Sequence, residues 1–387
     1  MPNITRRQFN QATAAAAAAS ILPGRGKTMT GTERKVFISG VRPGEGGVET
    51  AVRSALEAAG NLDWLKRGDR VFIKPASNSG NPYPATTSPA GLSAVIRALR
   101  DRGANVVVSD TAGVQFVKLE KNKLRGSTRK LMEQNGLARA ALEAGAELHF
   151  PEEVGWDAFV AEAPQGDSWK NPLMMPAILR EVDHVILMPR VSRHALAGST
   201  LGLKAAVGYW RTDTRLEYHR DAATLQEKTA EAMTVPVLLE KQRLVLTVAD
   251  RVQTTFGPDQ GFHLTPDQGI IFASDSIVAH DMVALAFLLH GRTLTPKAKL
   301  SGMTADPYTS RTAVRLGNRA VVYMLGGTRE MAHAQPLDNP TINSIRDDRV
   351  LRRAFALSGG EPAVRLVADN LDPQLESTLG QMLAPPA

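Results

Sequence analysis

The strongest constraint on the fold is a regular alternation of short apolar segments with longer amphipathic ones, which begins near residue 35. Short runs of apolar and β-branched residues are typical of buried strands, and apolar residues at a spacing near 3.6 are typical of helices. The predicted strands of this first part are Lys35–Gly40, Val71–Ala76, Asn105–Asp110 and Glu147–Phe150, and the predicted helices are Val48–Ala59, Pro89–Arg102 and Arg125–Glu143. Strands separated by helices in this way predict a parallel sheet with right-handed crossovers.

The alternation is interrupted at residues 151–176, which are rich in proline, glycine and acidic residues and predict a hairpin or an insertion. The later predicted elements are His184–Val191, Thr200–Trp210, Leu225–Lys241, Arg243–Ala249, Gly269–Ser274 and Ser276–His290, with helices near Ser310–Leu316 and Pro362–Ala368. A chain of 387 residues is too long for one ordinary core. We therefore predict an α/β fold, a mostly parallel sheet with helices on both faces, in two lobes with a cleft between them. The lobes are residues 30–150 and 176–387, and residues 151–175 form an insertion or linker.

The N-terminal residues 1–29 have the features of a targeting signal. They contain TRRQF at residues 5–9, then a run of alanines and the helix-stopping Pro23-Gly24. A polar residue, the pair Arg6-Arg7 and a large apolar residue in this order resemble a twin-arginine export signal. We therefore predict a periplasmic or exported protein that uses the twin-arginine translocation machinery. Because this route exports folded proteins, a tightly held non-covalent cofactor is compatible with it.

The composition excludes several classes of protein. The chain has no cysteine, which excludes disulfides, cysteine zinc sites, c-type haem and an iron–sulfur cluster held by thiolates. Four of the seven excess positive charges lie in the first 29 residues and aromatic residues are only 5%, so nucleic acid is not an expected partner. No stretch approaches 18 strongly apolar residues, so we predict no transmembrane segment in the mature chain.

Polar residues follow several of the predicted strands, where ligands of parallel sheets gather. Lys74 follows VFI and would be costly to bury unless it meets an anion or a carboxylate; alternatively it extends to solvent at the sheet edge. Asp110 follows VVVS and is a candidate base, metal ligand or helix cap. Asp250 follows a further predicted strand, LVLTVA. These three residues are candidate site residues.

The loop at residues 76–89 leads from the second predicted strand into a helix. It contains amides, glycine and the hydroxyls of Thr86, Thr87 and Ser88. Hydroxyls beside a helix N-terminus suit a phosphate or a carboxylate, although an ordinary capped loop has the same composition. The chain has no Walker or dinucleotide glycine pattern, so a nucleotide fold is not predicted.

The densest group of functional side chains lies between residues 188 and 210. Arg190, Arg193, His194 and Lys204 follow a predicted strand, and small residues surround the lysine. We predict that His194 and Lys204 line a pocket and that the small neighbours leave room for a ligand. His219 follows soon after and offers a second imidazole.

Two aspartates accompany the last predicted helix before residue 290. Asp275 is placed to cap that helix. Asp281 lies one and a half turns further on, and if buried it needs a partner. The spacing of His280 and His290 is not that of paired metal ligands on one helix turn.

Six segments, in order, resemble the family known as domain of unknown function 362. They are VFIKPASN (71–78), TTSP (86–89), VVVSD (106–110), PRVSRHALAGSTLGLKAAVG (189–208), LTVADRVQ with GPDQG (246–261) and ASDSIVAHDMVA (273–284). Members often have a lysine two positions before the histidine, whereas this chain has Ser192 there. Some relatives contain iron–sulfur modules, which a cysteine-free chain lacks.

A more distant resemblance is to the nickel-pincer lactate racemases. They have a histidine, a lysine ten positions later that holds the pyridine-derived cofactor, and a later histidine that ligates nickel. His194, Lys204 and His219 stand at similar spacings here. The racemases also have a catalytic histidine after an earlier strand, where this chain has Asp110-Thr111.

Two functions are compatible with these observations. The first is an exported enzyme, an oxidoreductase or a racemase or epimerase, that transfers a proton or hydride on a small anionic hydroxy- or keto-acid. The second is a non-catalytic envelope protein that binds an anionic small molecule or a metal. For the enzyme, the catalytic candidates are His194, Asp110 and Asp250, the cofactor-binding candidates are Lys74, Thr87, Arg190, Arg193 and Lys204, and the metal candidate is His219. The residues themselves do not identify a cofactor. The resemblance to the racemases implies one of nickel-pincer type.

Overall fold

The computed structural model describes residues 33–42, 44, 46–300, 311–339 and 341–385. The predicted export signal lies outside the described residues. The first of the predicted helices in the last hundred residues corresponds to Arg311–Ala332, which is longer than the sequence pattern indicates.

In chain order the described strands are β1 (Arg34–Gly40), β2 (Arg70–Pro75), β3 (Asn105–Ser109), β4 (Lys118–Glu120), β5 (Lys123–Arg125), β6 (Glu147–His149), β7 (Phe159–Glu162), β8 (Leu173–Pro176), β9 (His184–Met188), β10 (Ser192–His194), β11 (Gly198–Thr200), β12 (Gln242–Ala249), β13 (Val252–Gln253), β14 (His263–Leu264), β15 (Ile270–Ser274) and β16 (Val364–Asp369). The structure contains strands at the predicted positions, including β2, β3, β9 and β12 of the large sheet. The hairpin predicted in the interruption is present, because β7 pairs with β8 in antiparallel fashion.

Eight strands form one sheet in the order β16-β1-β15-β12-β9-β2-β3-β6. All of its neighbouring pairs are parallel except the two that involve β15. The predicted mostly parallel α/β sheet is therefore confirmed. Residues 30–150 and 176–387 contribute to this same continuous sheet, and the division into two lobes stays a prediction.

The helices cover both faces of the sheet, as predicted. They are α1 (Gly47–Ala58), α2 (Pro89–Asp101), α3 (Thr128–Gln134), α4 (Leu137–Glu143), α5 (Pro151–Val154), α6 (Gly202–Ala205), α7 (Thr212–Arg220), α8 (Leu225–Glu231), α9 (Pro236–Lys241), α10 (Ile277–Leu294), α11 (Arg311–Ala332), α12 (Arg349–Leu357) and α13 (Pro373–Leu383). Short 3₁₀ turns connect some of them, including Ala206–Tyr209 directly after α6.

Strand β2 shows how the sheet separates two hydrophobic cores. Val71 and Ile73 pack in one core with residues of α1, α2 and α4. Phe72 points to the opposite face and packs in the other core with residues of α8 and α10. Successive side chains of a strand alternate between faces, and a strand covered on both faces reads as continuously apolar.

Two predicted helices are divided by a backbone feature. The helix predicted at residues 125–143 is two helices, α3 and α4, because Gly136 adopts φ 85° and supplies the left-handed turn between them. The element predicted at residues 225–241 is also two helices, and Pro236 begins the second of them. Proline is tolerated at the first helical position but not in a helix interior.

The helix predicted at Pro362–Ala368 is wrong, since this segment forms strand β16. The segment pairs in parallel with β1 from Arg34 to Ser39. The backbone groups on that side of β1 gain hydrogen-bond partners in this way. Tertiary pairing thus overrides the local preference.

Helix α10 is long and apolar enough to cross a membrane, but 67% of it is buried inside the fold, as in a core helix of a soluble domain. Its cap is Ser276, whose hydroxyl accepts from Ala279 N, and not Asp275 as predicted. The prediction that a buried Asp281 needs partners is confirmed. Its carboxylate bonds Nδ1 of His280 and the backbone N–H groups of Gly202 and Leu203.

Candidate active site at the carboxyl edge of the sheet

A cavity of about 190 Å³ lies at the carboxyl ends of β2, β3 and β9. Strand order reverses between β2 and β9, and ligands of open α/β sheets bind at such switch points. The charged and histidine side chains of its lining are Lys74, Asp110, Arg190, His194, Lys204, Arg215, His219 and Asp259. Most of the predicted site residues therefore meet in one place, which Lys204 reaches from helix α6 and His219 from helix α7.

Lys74 and Asp110 form a buried ion pair at the floor of the cavity. Lys74 Nζ lies 2.8 Å from Asp110 Oδ1, and the two side chains are 1% and 3% exposed. Asp110 also accepts from Ser77 N at 2.7 Å, and Lys74 donates to Pro75 O at 3.0 Å. Burial lowers the pKa of Lys74, and Asp110 opposes that shift. Asp110 is thus a counter-ion and not a helix cap, and Lys74 meets a carboxylate rather than solvent.

Gly208 and Gly202 make room for carboxylates of the protein. A side-chain carbon at residue 208 would collide with Asp110 Oδ1 and would lie 2.5 Å from Lys74 Nζ. At residue 202 it would lie 2.7 Å from Asp281 Oδ1. The predicted free space around Lys204 is therefore partly filled by Asp110, which directly follows β3, and by Asp281 of α10.

His194 presents a hydrogen-bond donor to the cavity. Its Nδ1 accepts from the backbone N–H groups of Leu196 and Ala197 at 3.1 and 3.2 Å, so the proton of the neutral ring is on Nε2. Burial, and then the positive charges of Lys204 and Arg190, hold the pKa of His194 well below its ordinary value. Protonating Nδ1 would set it against two N–H donors, so the ring is a neutral donor rather than a base.

His219 presents the opposite character. Asn318 donates its Nδ2 to His219 O at 2.8 Å, which leaves its Oδ1 to accept from His219 Nδ1 at 2.9 Å. The proton is therefore on Nδ1, and Nε2 keeps a lone pair. Burial lowers the pKa of His219 to about 3, although the Asn318 hydrogen bond opposes this. The ring stays neutral and acts as an acceptor.

Lys204 is a half-buried amine in the cavity wall. Its Nζ lies 6.0 Å from the centre of the Tyr218 ring, and it has no hydrogen bond or carboxylate partner in the described part of the chain. Burial, followed by the charges of Arg190, Arg215 and Lys74, lowers its pKa to about 7. The amine is therefore divided between its charged and neutral forms near neutral pH.

Two buried arginines flank this amine. Arg190 donates Nη1 to Ala85 O, and Arg215 donates Nη2 to Thr111 O at 2.8 Å. Burial lowers the pKa of each to about 10, so both remain charged at neutral pH. Arg215 was missed from the sequence. Its spacing of four from His219 was an available signal, because a helix places such residues on one face.

Asp259 closes the other side of the cavity and was also missed. It accepts from Asn78 Nδ2 and Gln115 Nε2, each at 2.5 Å. It lies in the loop between β13 and β14, and this loop places the Asp259 side chain in the cavity lining. No local sequence pattern indicates that this loop reaches the cavity, although GPDQG belongs to the segments that resemble the family.

Three candidate residues lie outside the cavity lining. Asp250 accepts from Tyr83 Oη at 2.6 Å. Thr87 accepts from Ala76 N and donates to Met188 O, so its hydroxyl joins the loop to the end of β9. Arg193 is buried, and its charge weakly opposes the burial that raises the pKa of Asp348 to about 6. The structure does not bring these three together with His194 and Lys204.

The donor set fits a small molecule better than a metal-bearing cofactor. Within the described residues, no group of three or more histidine, cysteine, aspartate or glutamate side chains is arranged to hold a metal ion. His194 has its proton on Nε2, so His219 is the imidazole with a lone pair for a metal. The cavity is also smaller than the roughly 300–1,000 Å³ pockets of drug-sized ligands. The metal role of His219 stays a prediction.

Comparison with solved structures gives a weak likeness to the lactate racemase apoprotein from Thermoanaerobacterium thermosaccharolyticum. The TM-score is 0.33 and the identity 13%, over 56% of this chain and 50% of that one. The match thus spans half the length of the racemase chain. No curated protein matches this chain.

A family model described as domain of unknown function (DUF362) matches residues 71–286. This span is more than half of the chain, and it contains every cavity-lining residue except Val321 and Met324. The six resembling segments of the sequence fall within it or at its start. The chain therefore belongs to the DUF362 family.

Proposed function

We propose that this DUF362 protein is an exported enzyme that binds a small carboxylic acid, a hydroxy- or keto-acid, and transfers a proton on it. The observation that supports this most is a cluster of polar atoms around the cavity, each buried without a partner among the described residues. These atoms are Arg190 Nε and Nη2, Arg215 Nε, Thr111 Oγ1 and Thr200 Oγ1. Buried polar groups in native proteins nearly always have partners, so this cluster indicates a ligand rich in acceptor atoms.

The charge of the cavity supports an anionic ligand. Asp110 balances Lys74, which leaves Arg190, Arg215 and Lys204 against the single carboxylate of Asp259. An arginine with two free N–H groups recognises a carboxylate in bidentate fashion. The volume of about 190 Å³ suits a small acid.

The side chains also support proton transfer. An amine with a pKa of about 7, as for Lys204, is matched to accept and return a proton at neutral pH. The Nε2–H of His194 can donate to the oxygen on which negative charge develops when a proton leaves the neighbouring carbon. In this proposal Lys204 is the base and His194 is the hydrogen-bond donor to the developing charge. The sequence instead suggested His194 as a catalytic residue and Lys204 as a cofactor-binding one.

Binding is expected to weaken as pH rises. Titration of the purified protein with lactate or pyruvate by calorimetry should give a Kd of roughly 1 mM or below at pH 6. Affinity for lactate should fall as pH rises through about 7, because the Lys204 ammonium, with its pKa of about 7, loses its charge there. A bound carboxylate stabilises the Lys204 ammonium, so the pKa of Lys204 should be slightly higher in the complex than in the free protein. Lactamide, which has no carboxylate, is the matched control.

Catalysis is separated from mere binding by proton exchange. Incubation with lactate or pyruvate in deuterated water should exchange the hydrogen on C2 of lactate or the methyl hydrogens of pyruvate, as followed by proton NMR. Binding without exchange of either acid would favour the non-catalytic envelope protein. Absence of binding by both acids would contradict the proposed function itself.

Export is proposed from Arg6-Arg7, which lie outside the described residues. Replacing both arginines with lysine should leave the protein in the cytoplasmic fraction, because the pair is the recognised feature of such signals. Cell fractionation of the two forms measures this. Equal amounts of both forms in the periplasm would contradict the twin-arginine route.

A further inference from the structure

We propose that Lys204 is a nucleophilic amine that forms an imine with the carbonyl carbon of a small 2-oxo acid in the cavity. This inference rests on the proposed function and names the keto-acid class as the substrate. It adds a covalent step that neither family membership nor the proton transfer requires.

Lys204 differs from the other buried lysines in having no hydrogen-bond acceptor. Lys74 donates to Asp110 and to Pro75 O, and Lys228 donates to the carbonyls of Glu217 and Asp221. Lys204 lines the cavity, and within the described part of the chain its Nζ has neither a carboxylate nor a carbonyl to hold it in the ammonium form. An amine without such a partner has its lone pair available to an electrophile.

The surroundings favour the neutral, nucleophilic form of this amine. Burial and three cations, Arg190, Arg215 and Lys74, lower its pKa to about 7. These cations cannot relieve the repulsion by losing protons near neutral pH, because both arginines have pKa values of about 10 and Lys74 is paired with Asp110. Desolvation together with adjacent cations is a known way to activate a lysine toward carbonyl compounds.

The backbone that bears Lys204 is held in place by Asp281. The carboxylate accepts from Gly202 N at 2.8 Å and from Leu203 N at 2.7 Å. Asp281 is buried on the long core helix α10, so the short helix α6 is fixed to a rigid element. A rigid attachment lowers the entropy lost when the amine meets a bound carbonyl.

The step balances without an added reactant. The Lys204 nitrogen attacks the carbonyl carbon, a C–N bond forms and the π electrons of the C=O bond move to oxygen. Two protons from nitrogen finally reside on that oxygen, which leaves as water when the C=N bond forms. His194 Nε2–H donates to the oxygen while its charge develops, and Arg190 holds the carboxylate.

Reductive trapping tests the inference. Wild-type protein is incubated with pyruvate and sodium cyanoborohydride, and intact mass and peptide mass spectra are recorded. We expect one main adduct on Lys204, with a mass gain equal to pyruvate less one oxygen atom. Adduct yield should rise with pH through about 7, as the neutral amine increases. Lactate, which lacks a carbonyl, should give no adduct.

Variants separate a specific imine from random modification. Lys204→Arg keeps the positive charge and should lower the adduct yield at least tenfold, while Lys170→Arg, at an exposed lysine, should leave it unchanged. Adducts spread equally over the surface lysines of the wild-type protein would overturn the inference, and this outcome is visible without any variant. If pyruvate and lactate both bind but no adduct appears on Lys204, the imine alone is wrong. If neither acid binds, the proposed function is wrong as well.

Discussion

Replacing Asp110 with asparagine is expected to lower the free energy of unfolding by about 3–5 kcal/mol, the usual cost of removing one partner of a buried ion pair. Lys74 is 1% exposed and lies 2.8 Å from the Asp110 carboxylate, so the substitution leaves its ammonium without a counter-ion. The carboxylate also accepts the backbone N–H of Ser77, and Gly208 packs directly against the pair. The two side chains are 1% and 3% exposed, so solvent solvates the unpaired ammonium poorly.

Urea denaturation of the two proteins measures this effect. The double variant Lys74→Met with Asp110→Asn should recover part of the loss, because no charge then remains buried. Glu143→Gln provides the exposed control. Its partner Arg139 lies 4.0 Å away and is 81% exposed, so a change of at most about 0.5 kcal/mol is expected. A cost below about 1 kcal/mol for Asp110→Asn would contradict the buried pair.

The second large effect is expected from Arg190→Met, which should raise the Kd for lactate or pyruvate by roughly 30-fold or more. Arg190 is 1% exposed, and its Nε and Nη2 have no partner among the described residues. Losing a buried charged partner costs about 2–5 kcal/mol of binding free energy, and each 1.4 kcal/mol is tenfold. Methionine keeps much of the volume, so the main loss is that of the charge and its donors.

Calorimetric titration with the same acids measures the change. Arg139→Met is the matched control, because Arg139 is an exposed arginine on α4, away from the cavity lining. Its Kd should equal that of wild type. Equal affinities of wild type and the Arg190 variant would mean that the acid is held elsewhere.

Much of the sheet was predictable, because its strands are strongly patterned. The ends of VFI, VVVS and HVILM place Lys74, Asp110 and Arg190 at one edge, as parallel strands require. Strand β16 was not predictable, since its pairing with β1 joins segments more than 300 residues apart. Its local pattern, with a proline before a short apolar run, is equally compatible with a helix.

The candidate site was predictable in composition but not in chemistry. The residues that line it were largely visible, whereas their protonation depends on distant partners. His219 receives its tautomer from Asn318, which is 99 positions away. His194 receives its tautomer from the path of the backbone at Leu196 and Ala197, which no residue pattern encodes. Asp259 enters from a loop, so its charge could not be assigned to the site.

The opposite tautomers of the two imidazoles have a stereochemical consequence. One ring offers a proton, the other a lone pair, and Arg190 supplies a third and different anchor for a carboxylate. A hydroxyl on C2 of a bound acid can accept from one ring and donate to the other, while the carboxylate meets the arginine. These contacts engage only two of the four substituents of C2, so both mirror-image forms can make them. The choice between the two forms is therefore left to the cavity walls that meet the remaining substituents.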